Sequence, residues 1–103
     1  MFYMSLCIEK KVGEKTEIVL SGRLDTSSAP ELETLLNEVL PQTKELVFDL
    51  EKLEYISSAG LRLILKAQKT MNQKGSMKLK HVPESVMEIF TITGFADFLT
   101  IED

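Results

Sequence analysis

The feature that most constrains this chain is the succession, within positions 45–80, of a short apolar run, a longer run with helical spacing and a second short run. In E-L-V-F-D-L, residues Leu46, Val47, Phe48 and Leu50 follow one another almost without a break. That pattern belongs to a strand in the middle of a sheet, covered by helices on at least one face. From position 60 to 74 the spacing changes. Leu61, Ile64, Leu65 and Met71 share one face of a helix, Leu63 and Ala67 widen it, and Lys69 and Lys74 stand near a C-terminus closed by Gly75. M-K-L-K at positions 77–80 then alternates as a strand. A strand, a helix and a strand in such close succession form a crossover unit, which demands parallel pairing.

The flanks extend this unit. Met4 to Glu9 alternates, T-E-I-V-L at positions 16–20 is rich in β-branched residues, and Gly13 and Glu14 between them are turn material, so the chain opens on a β-hairpin. Cys7 falls on the face opposite Leu6 and Ile8 and reads as a packed or half-exposed structural thiol, with no charge cluster nearby to activate it. Leu32, Leu35, Leu36, Val39 and Leu40 recur at helical spacing over positions 29–40. The preceding S-A-P-E fits a capping box with Ser28 as the cap and Glu31 reaching back. Pro83 suits the first turn of a third helix carrying Val86, Met87, Ile89 and Phe90 before Gly94, and positions 95–101 read as a turn and a short strand. The order β-β-α-β-α-β-α-β predicts one α/β domain over positions 1–103, its sheet mixed but mostly parallel, with an antiparallel N-terminal hairpin.

Composition narrows the function. The 103 residues are 44% hydrophobic and 27% charged, as in a folded globule. With 16 acidic against 12 basic residues and a net charge of −4, the chain lacks the basic surplus that nucleic-acid binding requires. No apolar run approaches the roughly 20 residues needed to cross a bilayer, and M-F-Y-M-S-L-C is no secretory leader, so a soluble cytoplasmic protein is expected, without a membrane partner. One cysteine forms no internal disulfide, and a single histidine offers no metal cluster by spacing; no cofactor is implied.

In Y-I-S-S-A-G-L-R, positions 55–62, Tyr55 and Ile56 read as the end of the loop after the central strand, and two hydroxyls and two small residues separate them from the apolar run of the second helix. Ser57 fits the cap of that helix, accepting a hydrogen bond from a free backbone N–H. Ser58 is then left over at the first helical position, and Ala59 and Gly60 leave room for something to approach the backbone closely. A hydrolase elbow is not met: G-x-S-x-G would need glycine where Ile56 stands, and the only imidazole is His81 in K-H-V-P. Neither G-x-x-x-x-G-K nor G-x-G-x-x-G occurs. The expected role is binding, not catalysis.

Three stretches resemble the signatures of the STAS family (sulphate transporter and anti-sigma factor antagonist), and within it the small bacterial anti-sigma factor antagonists. They are L-S-G-R-L-D-T at positions 20–26, L-V-F-D-L-E-K-L-E-Y-I-S-S-A-G-L-R-L-I-L at 46–65 and I-T-G-F-A-D-F-L-T-I at 92–101. The resemblance implies a STAS-like mixed sheet with helices packed chiefly on one face. It implies a domain that, unphosphorylated, binds an anti-sigma factor that is also a serine kinase, releasing a sigma factor until phosphorylation switches binding off. Ser58 matches the phosphorylated serine, with Ser57 the neighbouring candidate. Asp25 matches an acidic residue near that site in the family, although it also suits a plain turn; Asp49 reads as structural. The implied partner surface comprises Asp25, Thr26, Ser57, Ser58, Ala59, Gly60 and Arg62. A phosphatase would reset the switch, and the domain is expected as a monomer or weak dimer. A stand-alone domain argues against the transporter branch. The alternatives are a STAS scaffold serving another serine kinase, and a small-ligand or nucleotide-binding domain.

Overall fold

The structure, a computed structural model, describes residues 6–102. Five strands form one sheet in the order β1-β2-β3-β4-β5. Strands β1 (Leu6–Lys11) and β2 (Lys15–Leu24) pair antiparallel, and β3 (Glu45–Ile56), β4 (Ser76–Lys80) and β5 (Ile101–Glu102) follow in parallel. Helices α1 (Ala29–Val39), α2 (Ser58–Asn72) and α3 (Glu84–Thr93) connect the parallel strands. This is the mixed sheet with an N-terminal hairpin that the sequence predicted; Met4 and Ser5 of the expected first strand lie outside the described residues.

Strand order in sequence order has a structural consequence. Each crossover steps the same way across the sheet, and right-handed crossovers that all step one way lay their helices on one face. Side-chain alternation agrees. Ile18 and Leu20 of β2, Leu46, Phe48 and Leu50 of β3, and Met77 and Leu79 of β4 are buried with Leu32, Leu36, Ile64, Met71 and Phe90 from the helices. The other face carries ion pairs instead: Lys80 to Glu17 at 2.9 Å, Lys78 to Glu102 at 3.1 Å and Lys15 to Glu45 at 3.5 Å. Cys7 lies on this face and is exposed, rather than packed or half-exposed as a structural thiol would be.

Two expectations are corrected. Strand β3 does not end near Leu50 but runs through Ile56, so Tyr55 and Ile56 are strand residues rather than loop. The alternation was lost because buried positions change from every second residue to every third, Leu50, Leu53 and Ile56. The pairing with β2 shifts register twice over this stretch, and each extra residue turns the next side chain over. The capping box on α1 also does not form. Ser28 stands at the cap position, but its hydroxyl makes no capping bond. It accepts the Asp25 N–H at 2.9 Å and has the Arg23 carbonyl oxygen as its nearest acceptor, also at 2.9 Å.

Gly94 closes α3 in the left-handed conformation, φ 83°, as its place after Phe90 suggested. Gly75 follows the end of α2, its N–H donating to the Met71 carbonyl oxygen at 2.7 Å, and it has a second role. A Cβ there would lie 1.9 Å from the Lys44 carbonyl oxygen, so the glycine lets the start of β4 run against the backbone leading into β3. Among the described residues no helix is long and apolar enough to cross a membrane.

Candidate functional site

The candidate residues gather where β2 and β3 end side by side. Leu24 and Ile56 are register partners, and the Ser57 N–H donates to the Leu24 carbonyl oxygen at 2.8 Å. The loop after β2 is thereby fixed against the start of α2. Within that loop the Asp25 carboxylate acts as an organiser: Oδ1 accepts the Ser27 hydroxyl at 2.8 Å and the backbone N–H groups of Ser27 and Ser28, each at 3.1 Å. These bonds favour the charged form, that from the Ser27 hydroxyl most, and hold its pKa below the ordinary aspartate value. The turn reading of Asp25 thus has direct structural support, while its other oxygen faces Arg23 Nε at 3.8 Å.

Ser57 caps α2 as expected, its hydroxyl oxygen accepting the Gly60 N–H at 3.3 Å. Ser58 is the first residue of α2 and exposed. The two serines are therefore distinguished: one hydroxyl is half-buried and occupied, the other faces solvent at the positive end of a helix dipole. Thr26, Ala59 and Arg62 come together, lining with Pro30, Glu33 and Lys66 a groove of about 340 Å³ between α1 and α2.

Gly60 requires a correction. It is buried, and a Cβ there would meet Leu24 Cγ at 2.5 Å, Leu24 Cδ2 at 2.9 Å and the Leu24 carbonyl oxygen at 3.1 Å. Its lack of a side chain is explained by close packing of α2 on the end of β2, not by the approach of a partner. Two site neighbours escaped the sequence reading. Arg23 stacks over the Tyr55 ring with its guanidinium carbon 4.2 Å from the centroid, the two being cross-strand partners at the edge of the site. Only the register created by the β3 irregularities sets these residues opposite each other.

Strand β3 and the residue after β4 also assemble a cluster that spacing along the chain did not reveal. Asp49, Glu51 and His81 place donor atoms within 4.8 Å of one another, close enough to hold a metal ion, despite the single histidine. Asp49 is already engaged: Oδ1 accepts the Glu51 N–H at 3.1 Å and lies 3.2 Å from His81 Nδ1. This agrees with a structural role for Asp49, bracing the first irregularity of β3. His81 is exposed just past β4, in the left-handed conformation at φ 57°.

Among the described residues the strand order never reverses, so the sheet has no topological switch point. The candidate site is an exposed helix terminus beside a shallow groove, a surface suited to another macromolecule.

Comparison with known proteins agrees with this architecture. The chain is 36% identical over 84 residues to BtrV of Bordetella bronchiseptica, a candidate anti-sigma factor antagonist, covering 80% of this chain and 72% of that protein. It is 30% identical over 103 residues to the anti-sigma-B factor antagonist of Staphylococcus aureus, covering 97% of this chain and 95% of the relative. Among solved structures, an anti-sigma factor antagonist from Mycobacterium paratuberculosis superposes with a TM-score of 0.84 at 19% identity, over 94% of this chain and 85% of the other. SpoIIAA superposes with TM-scores of 0.78 in its unphosphorylated form, over 95% of this chain and 88% of that one, and 0.73 in its phosphorylated form, over 95% and 91%, at 18% and 17% identity. The family described as "Mlab, STAS domain" matches residues 7–101, and the chain belongs to the STAS domain family.

Proposed function

We propose that this protein is an anti-sigma factor antagonist that binds, in its unphosphorylated form, an anti-sigma factor with serine-kinase activity and thereby frees a sigma factor. Phosphorylation of Ser58 ends that binding, and a phosphatase restores it. The protein works in the cytoplasm as a binding partner, not an enzyme. The observation that carries the reading is the exposed Ser58 hydroxyl at the first position of α2, beside a Ser57 whose own hydroxyl is committed to the cap. Curated relatives of nearly the same length carry the antagonist name, and SpoIIAA, which shares the fold, has a phosphorylated form.

The physical logic is that of a surface switch. A phosphoryl group adds a charge of about −1.5 to −2 at neutral pH. At the N-terminus of α2 the free N–H groups and the helix dipole accept that charge without breaking the fold. What changes is the docking surface, where a partner presenting carboxylates or nucleotide phosphates is now repelled.

The test is phosphate transfer from labelled ATP by candidate anti-sigma factor kinases of the same genome. Wild type takes up label, Ser58→Ala does not, and Ser58→Ala still binds the kinase and cannot be released. Full labelling of Ser58→Ala moves the site, with Ser57 the next residue to replace. No labelling of wild type by any kinase that binds it favours a ligand-binding or scaffold role.

A further inference from the structure

Helix α2 contains three basic side chains, Arg62, Lys66 and Lys69, and no acidic residue. In a chain of net charge −4 this is a local reversal of sign. Spaced four and three residues apart, the three cations run along one side of the helix. Among the described residues none of them stands in an ion pair, whereas Lys15, Arg23, Lys78 and Lys80 all do.

These cations border a groove of about 550 Å³ whose other walls are Leu65, Phe95 and Phe98. Leu65 and Phe95 are half-buried, and Phe98 is 45% exposed. An apolar floor with a cationic rim along two turns of helix, open along its length rather than closed into a cavity, has the form of a helix-in-groove site. The sign of the rim selects the occupant. Glu33 lines the adjoining groove and Asp97 lies between the two phenylalanines in sequence, yet neither neutralises the row.

We infer that this groove between α2 and the turn Phe95–Asp97 docks an amphipathic helix of a protein partner, one whose apolar face is flanked by Glu or Asp. Leu65 and the two phenylalanines take the apolar face, and Lys66 and Lys69 meet the flanking carboxylates. The inference does not rest on Ser58 being the phosphorylation site.

The probe is a synthetic peptide of about 18 residues, long enough to form a helix in isolation, with leucines at helical spacing flanked by glutamates. Two controls accompany it: the same peptide with lysine for glutamate, and a scrambled peptide of identical composition. Binding is read by anisotropy and by amide shifts of the isotope-labelled protein. The expected result is saturable binding of the acidic amphipathic peptide alone, with shifts clustered at Arg62, Leu65, Lys66, Lys69, Phe95 and Phe98. The double variant Lys66→Glu/Lys69→Glu and the single variant Phe98→Ala should each weaken binding by about tenfold or more, and added salt should weaken wild type. Equal binding of the scrambled peptide would reduce the groove to a charged patch and overturn the inference. So would sedimentation of wild type as a dimer that the double variant dissolves, which would make a second copy the occupant. Binding to phosphatidylglycerol vesicles with none to the peptide would assign the cations to a membrane surface instead.

Discussion

Gly60 offers the sharpest test of how the site is built, because two explanations of its small size give opposite signs. If it were small only to admit a partner, Gly60→Ala would stabilise the free protein by up to ~1 kcal/mol, the helical preference of alanine over glycine. The structure puts Leu24 in the way. The new Cβ would stand 2.5 Å from Leu24 Cγ and 3.1 Å from the Leu24 carbonyl oxygen, which already accepts the Ser57 N–H. Leu24 is wholly buried and its backbone is held by that bond, so relief requires α2 to move away from β2. Overpacking of this kind costs about 1–3 kcal/mol, which offsets the propensity gain and leaves a net loss of up to about 2 kcal/mol. For a domain of this size each kcal/mol lowers the melting midpoint by about 4–8 °C. Urea denaturation of a double-mutant cycle with Leu24→Ala isolates the cause. Leu24→Ala alone should cost about 2–5 kcal/mol, and in that background Gly60→Ala should turn neutral or stabilising, a coupling of about 2 kcal/mol. A rise in stability on Gly60→Ala in wild type, or additivity with Leu24→Ala, would refute the packing account.

Gly75→Ala should be worse than Gly60→Ala, on the order of 3 kcal/mol by urea denaturation, because the obstructing atom is the Lys44 backbone oxygen at 1.9 Å and not a leucine side chain. Ser57→Ala should lose about 1 kcal/mol through the missing cap, while Ser58→Ala leaves the melting temperature nearly unchanged; equal effects would contradict the division of roles between the two hydroxyls. The Glu17–Lys80 pair gives a pH signature. Its hydrogen bond lowers the Glu17 pKa, so the stability that Glu17 contributes is present above the unfolded carboxylate range and is lost as the pH falls through its folded value. The stability difference between wild type and Lys80→Met should therefore shrink on acidification below that range, and a difference that persists there would disprove the linkage.

The parts of the fold that were legible from sequence are those where one residue pattern answers to one structural period. The leucines of α1, the capped start of α2 and the alternation of β4 belong to this group, and the crossover rule turned them into a parallel sheet. What was not legible depends on partners distant in sequence. The second half of β3 was hidden because its irregularities replace a period of two by one of three, and an irregularity exists only relative to the strand beside it. The size of Gly60 was visible, but its cause was a leucine 36 positions earlier in the chain. Asp49, Glu51 and His81 likewise form a group only after β3 and β4 align. Asp25 shows the converse case: both a turn and a site role were readable, and the hydrogen bonds to Ser27 and Ser28 establish the turn.

Helix α2 carries both the candidate switch and the basic groove, so each proposal has a consequence for the other. Arg62, the first cation of the groove, is four residues beyond Ser58, which places it one helical turn, about 6 Å, further along the same side. A carboxylate seated at Arg62 would then lie about 6 Å from a charge on Ser58, and in surface solvent two like unit charges at that distance repel by about 0.7 kcal/mol, a factor of about three in affinity. A phosphoryl group with nearly twice the charge should cost about tenfold. Lys69 lies eleven residues from Ser58, roughly 16 Å along the axis, beyond the screening length of about 10 Å at 0.1 M salt, so the contacts there should be unaffected. Titrating the acidic peptide against wild type, Ser58→Asp and the phosphorylated protein should therefore give graded weakening of about threefold and tenfold at low salt, collapsing at 1 M salt, with amide shifts lost near Arg62 and retained near Lys69. Identical affinities for the three proteins at low salt would separate the groove from the switch and leave α2 with two independent surfaces.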